Sequence, residues 1–285
     1  MKRTILLKLP LLFLAGLLAF SGCKKDDDAM SEESWVSAED NARIETELES
    51  VQNFVDAEAA DPDLEKNGPS QSNHLPASGC ATRNWDAATR TLTIDFSPVN
   101  CLCRDGKYRR GQIKAVFSGA WRTAGSSVTI TLHNYFVNDN QHLGTRIVTN
   151  QTDASNTNSN FKYSVTVQNA SIIFTDATTR NWNAQRLVER TAGQGTPSLL
   201  DDEYLVTGTA NGTNRRGVNY TAAIGQPLKK VFRPGCFRNF ISGTITITNS
   251  NNKTLTLNYD PSGTENCDKT ASVTVNGKTR LITLR

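Results

Sequence analysis

"GTITITNSNNKTLTLNYD", residues 243 to 260, decides the fold class. Two runs alternate threonine with isoleucine or leucine at a period of two, and polar residues at 250–253 separate them. In an extended chain successive side chains point to opposite faces, so each run carries one apolar and one polar face. β-Branched residues fit a pleated, half-buried surface, so the stretch reads as two strands and a turn.

The same pattern recurs outward in both directions. Upstream stand "RTLTIDF" (90–96), "QIKAVFS" (112–118), "SVTITLH" (127–133), "RIVTN" (146–150), "FKYSVTV" (161–167), "YLVTGTA" (204–210) and "GVNYTAAI" (217–224). Downstream follow "ASVTVNG" (271–277) and "RLITL" (280–284). Asp105-Gly106, Asn211-Gly212 and Asn276-Gly277 read as tight turns between strands, since X-Gly pairs suit hairpins. About eleven or twelve strands without interleaved helices predict a mainly β body, an antiparallel β-sandwich or a barrel-like pair of sheets. A faint repeat, "TLTIDFSPVNC" (91–101) against "TLTLNYDPSGTENC" (254–267), divides the body 77–285 into halves 77–155 and 160–285.

One helix precedes this body, at about 37–58. Ile44, Leu48, Val51, Phe54 and Val55 recur at helical spacing, with Glu45, Glu47, Glu49 and Asp56 on the other side. Ser37 reads as its cap, with Asp40 three residues on. The apolar stripe is narrow, so the helix is expected to lie on the β-body or on a partner. A Pro/Gly/Ser/Asn-rich linker follows it.

The N-terminus reads as an export signal over 1–22. Met1-Lys2-Arg3 and Lys8 are basic, and "LLFLAGLLAF" (11–20) is too short for a bilayer span of ~20 residues. Phe20-Ser21-Gly22-Cys23 resembles the bacterial lipobox, which implies that Cys23 is acylated. Two or three acyl chains hold a protein at a membrane far more firmly than one. Lys24-Lys25-Asp26-Asp27-Asp28 resembles the charged tether of surface-exported lipoproteins, so residues 23–76 are expected to form a lipidated acidic tether. The expected location is the outer membrane, lipid-anchored and exposed at the cell surface.

Exported chains use cysteines for disulfides. After Cys23 there are five: Cys80, Cys101, Cys103, Cys236 and Cys267. The repeat pairs Cys80 with Cys101 or Cys103, and Cys236 with Cys267, which leaves Cys101 or Cys103 over.

Charge is split along the chain. Residues 24–66 hold 15 acidic and four basic side chains, whereas residues 67–285 hold 13 acidic and 24 basic ones. A basic body favours anionic partners where its charges cluster. Arg104, Lys107, Arg109 and Arg110, with Lys229, Lys230 and Arg233, form a candidate anion patch for an acidic polysaccharide. The bland alternative is that they guard strand edges.

Catalytic signals are missing. His74, His133 and His142 are the only histidines, and no cysteine or carboxylate stands at metal-ligand spacing from them. "LLDDEY" (199–204) lacks the alternating acid pattern of a calcium loop. Phosphate-loop, dinucleotide, HExxH and GxSxG motifs are absent from the sequence. Trp85, Trp121 and Trp182 suit a core better than a sugar platform. No catalytic residue, cofactor or metal is assigned, and nucleic acid is not an expected partner.

Three segments together carry a resemblance. Cys103 to Ile113 reads C-x-D-G-x-x-R-x-G-x-I, residues 201–209 read DDxYxxTGT, and Cys267 to Gly277 reads CDxxAxVxxNG. The chain thereby resembles a group of Bacteroidota cell-surface lipoproteins of unassigned activity. The resemblance implies location and fold class and brings no mechanism. The leading expectation is a surface-anchored, non-enzymatic binding or scaffolding module, for acidic glycans. The alternatives are an accessory subunit docking an outer-membrane protein through the 37–58 helix, and a hydrolase whose site is scattered in sequence.

Overall fold

The period-two segments become strands of one antiparallel sheet wrapped against one helix. The computed structural model describes residues 32–60, 70–71, 79–120, 123–156, 160–196, 200–233, 236 and 239–284. The signal segment, Cys23 with its charged tether, His74 and Trp121 lie outside the described residues. After α1 (Glu32–Ala59) come β1 (Ser70–Gln71), β2 (Thr82–Asp86), β3 (Thr91–Asp95), β4 (Cys101–Leu102) and β5 (Tyr108–Phe117). Next are β6 (Ser127–Val137), β7 (Asn140–Asn150), β8 (Lys162–Ile173), β9 (Thr179–Ala192) and β10 (Glu203–Thr213). The chain ends in β11 (Asn219–Val231), β12 (Ser242–Asn249), β13 (Thr254–Asn258), β14 (Thr270–Val275) and β15 (Lys278–Thr283).

From β5 to β15 every strand pairs with its sequence neighbour, and β3 and β4 share one edge of β5. The expected mainly β, antiparallel class is therefore what is seen, as a single sheet rather than a pair. The two halves suggested by the repeat are parts of one unit, because β7 and β8 pair from Gln141↔Ile173 to Asn150↔Tyr163. The sheet does not close, and β15 ends the strand order.

The sheet nevertheless curls strongly. The helix touches β3 toward one side of the meander, β9 in its middle, and β12, β13 and β14 toward the other side. The curl has a local cause in register shifts that recur on neighbouring strands. They fall at Arg110/Gln112, Thr131/Tyr135, Leu143/Thr145 and Val167/Ala170, with a further one at Val206/Thr209. Each bulge bends its strand and raises the local twist, and in a row they crease the sheet. Gly111 sits at the first, with φ +86° and its amide donating to the Ser97 carbonyl at 2.8 Å.

Two expectations at turns and ends shift. Asn211-Gly212 lies inside β10, and the reversal comes after it, at Asn214 to Val218. The helix starts at Glu32 instead of Ser37, so Ser37 is not a cap. Its buried hydroxyl accepts from Asn214 Nδ2 at 2.9 Å.

The apolar helix stripe is buried as expected: Ile44, Leu48, Val51, Phe54 and Val55 are all at most 5% exposed. Its acids do not face solvent, however. Glu45 is 6% exposed, and Asp40 and Glu58 only 1%, because the sheet meets them with cations. Arg83 pairs Glu58, Lys107 pairs Glu47, Arg186 pairs Glu45, Lys230 pairs Glu49, and Arg180 and Arg215 pair Asp40, at 2.6–3.3 Å. The acidic segment and the basic body thus neutralise one another inside the molecule.

Disulfides join Cys80 to Cys101 and Cys236 to Cys267, with Cα atoms 5.6 and 4.7 Å apart, and Cys103 is the buried free thiol. The second bridge ties the β11–β12 connection to the β13–β14 connection. Cross-linking residues 31 apart removes loop freedom from the unfolded chain, worth about 3 kcal/mol in the chain-entropy picture. The double substitution Cys236→Ser, Cys267→Ser is expected to lower unfolding free energy by about that amount in urea titrations.

Candidate functional site

Hairpin connections alternate between the two ends of the sheet. At one end, the β10–β11 reversal holds the helix start: the Arg215 amide donates to Asp40 at 2.7 Å, and nearby Trp182 Nε1 donates to Asn41 at 2.9 Å. At the other end run the connections 118–126, 151–161, 193–202 and 232–241. There the C-terminal half of the helix and the curled sheet stand apart and enclose a cavity of about 860 Å³. Exposed Asn53, Ala60 and Leu200 line its mouth.

The walls are mostly apolar. Val148, Val165, Val188 and Val206 come from β7 to β10, Phe161 from the β7–β8 connection and Phe240 from the β11–β12 connection. A polar set shares the lining, made of Glu45, Glu49 and Gln52 on the helix facing Arg146, Arg186 and Lys230 on strands. Arg186 Nε meets Glu45 at 2.8 Å, and Lys230 meets Glu49 at 2.9 Å. Arg146 Nε donates to Gln52 Oε1 at 2.7 Å, and Gln52 Nε2 donates in turn to Asp56 at 3.3 Å. Burial holds the Arg146 guanidinium below its ordinary range, although nearby carboxylates pull the other way. Burial likewise pushes the Tyr163 phenol up, so the hydroxyl at the cavity wall is neutral.

Alternation on β9 explains how the cations enter. Arg180, Trp182, Ala184, Arg186 and Val188 all point to the helix side of that strand. No sequence signal marked Arg146, Arg180 or Arg186. An arginine at an inward position breaks the apolar alternation by which strands are recognised, and only the facing acidic helix accounts for it.

The seven cations of the candidate anion patch are dispersed. Lys107, Arg109 and Lys230 turn inward; Arg109 is held by Asp105 through two contacts of 2.7 Å and lies 5.0 Å from the Phe54 ring. Arg110 pairs with Asp139 and stacks on Phe136, and Lys229 pairs with Glu203 and Glu265. Arg104 and Arg233 are exposed. Five of the seven therefore already hold a carboxylate of the same chain. The acids of "LLDDEY" also have a partner role: Asp202 is 1% exposed, lies 3.7 Å from Arg190 and accepts from the Tyr204 hydroxyl at 2.7 Å.

His133 and His142 occupy opposite faces, His133 exposed and His142 buried against Tyr135. Among the described residues no group of three or more His, Cys, Asp or Glu is placed to hold a metal ion. Trp182 is core and Trp85 packs edge-on to Phe117. Burial pushes the Cys103 thiol up despite Arg109 beside it, which keeps it protonated.

Burial lowers His142 to about 4; Glu47 opposes this, and Lys107, Arg109 and Arg43 reinforce it. The unfolded chain takes up this proton near pH 6.5 and the folded one does not. Stability from this group is complete above pH 6.5 and is lost as the pH falls toward 4. A decline of about 2 kcal/mol between pH 6.5 and 5 is expected in urea titrations, and it should flatten in His142→Leu.

Comparison with known proteins leaves the site to speak for itself. No family model, curated protein or solved structure matches this chain. Among the described residues no helix is long and apolar enough to cross a membrane.

Proposed function

We propose that this chain is a non-enzymatic binding module, held at the outer membrane by lipid on Cys23, that carries a small amphiphilic ligand between its helix and its sheet. The observation that carries this reading is the cavity of about 860 Å³. Ligand sites of roughly 300–1,000 Å³, mainly apolar with a few convergent polar groups, are the usual form for small molecules. The lipidated tether, the export signal and the surface location rest on the sequence pattern at residues 1–28 and on the resemblance to cell-surface lipoproteins.

The ligand class differs from the acidic glycan expected at first. That expectation rested on clustered surface cations, and most of those are spent on intramolecular ion pairs. Docking of an outer-membrane protein through the helix also loses support, since the helix's apolar stripe and its acids both face the chain's own sheet.

The test is titration of the soluble body, helix included, with the neutral fluorophore N-phenyl-1-naphthylamine. Saturable binding at one site per chain is expected, weakened at least tenfold in Val165→Phe, which fills the cavity from β8. Unsaturable binding, or binding indifferent to Val165→Phe in a folded variant, overturns the reading.

A further inference from the structure

The cavity's polar end is unequally supplied with donors and acceptors. Arg186 has a side chain 5% exposed, and only its Nε meets a carboxylate. Its Nη1 and Nη2 are buried without any hydrogen-bond partner. Those two atoms carry four N–H groups, since guanidinium is a five-donor fork with no acceptor. Arg146 donates through Nε to the neutral Gln52 amide, and no carboxylate lies within ion-pair distance of it among the described residues. Glu45 Oε2 is a buried lining acceptor without a partner that stands against them, and the Glu49 and Asp56 carboxylates line the same space. Buried polar groups are nearly always satisfied, so this many open donors around one cavity calls for a ligand rich in acceptors.

Placement says where that ligand's acceptors belong. Arg146 on β7 lies directly opposite Val167 on β8, and Arg186 on β9 lies opposite Val165. The two guanidinium groups thus flank one strand, on the face that lines the cavity. Two residues further along, toward the mouth, β7 presents Val148 and β9 presents Val188, followed by Phe161 and Leu200. On these two strands the order from depth to mouth is a forked cationic end and then apolar side chains, with the Lys230–Glu49 pair across the cavity from them.

We propose that the cavity holds an amphiphile with one acidic head, a carboxylate or phosphate monoester, on a single alkyl chain. The head sits on Arg146 and Arg186, and the chain runs toward Leu200. This rests on the ligand-cavity reading above and adds to it the charge and orientation of the ligand. Arginine forks match both oxyanions bidentately, which a lysine in the same place does not.

The experiment is displacement of bound N-phenyl-1-naphthylamine from the lipid-free body by dodecanoic acid, monododecyl phosphate, 1-dodecanol and dodecylamine. The expected order places one or both acids at least tenfold ahead of the alcohol, with the amine weakest, since hydrogen bonds to charged groups carry that much. Which acid binds better identifies the head. Arg146→Gln, which breaks no ion pair, is expected to bring acid and alcohol within about threefold. Arg186→Lys keeps a charge facing Glu45 and is expected to lower acid affinity alone. If acid and alcohol displace equally, or if Arg146→Gln leaves the preference intact, the head-group assignment is wrong while the cavity reading stands. If none of the four displaces the probe, both fall.

Discussion

Asp40→Ala is expected to lower unfolding free energy by about 3–5 kcal/mol, the cost of stranding buried charge. Asp40 is 1% exposed and lies 2.9 Å from Arg180 and 2.6 Å from Arg215, and it accepts the Arg215 backbone amide as well. Without it two guanidinium groups face one another, and burial with Arg215 nearby already holds Arg180 below its ordinary range. Asp40→Asn preserves the shape and the amide contact but not the charge, so an intermediate loss is expected. The control is Asp139→Ala. That carboxylate pairs with Arg110 but is 55% exposed, and screened surface pairs contribute about 0–1 kcal/mol. Urea titrations of the three variants would separate the interior network from the rim. Equal losses for Asp40→Ala and Asp139→Ala would mean that helix and sheet are not held by buried charge.

Gly111→Val is the second large effect, expected at about 3 kcal/mol or more. Its φ of +86° lies where β-branched residues are outliers, and a Cβ there would stand 1.9 Å from the Asn134 carbonyl oxygen. That oxygen belongs to the main chain of the neighbouring strand, so relief requires undoing the bulge that starts the crease. Gly277→Ala separates the two causes. It has a similar φ of +77° with nothing within 4 Å, so only the left-handed strain of roughly 1 kcal/mol applies. A Gly111→Val protein that still folds is expected to bind the naphthylamine probe weakly, because a flatter sheet opens the cavity.

The strands with clean alternation were legible because their outward residues are polar and their inward ones apolar: β12 and β13 show it in burial as in sequence. β9, the strand that carries the site, was not. "TRNWNAQRLVERTA" places Arg180 and Arg186 on the buried face, where an alternation rule reads them as loop or surface. The helix is legible from Ile44, Leu48 and Val51, whereas the buried partners of its acids are not. An isolated helix has one natural home for glutamate, and nothing local says that an arginine-bearing sheet waits opposite. The −11 and +11 halves of the charge split were visible as a difference but not as a match.

Local chemistry settled what depends on neighbours in sequence. Period-two alternation set strand after strand, the Asn-Gly at 276–277 set a reversal, and the repeat paired Cys236 with Cys267. Tertiary structure alone decided what depends on residues more than a hundred positions apart. Arg186 meets Glu45 and Asn214 meets Ser37 only after the creased sheet has curled round the helix. The cavity is the space left where helix and sheet diverge, and its shape belongs to no segment of the chain. Burial turns charges that would be interchangeable in water into specific partners, since a lone ion in the interior is too costly to leave unmatched.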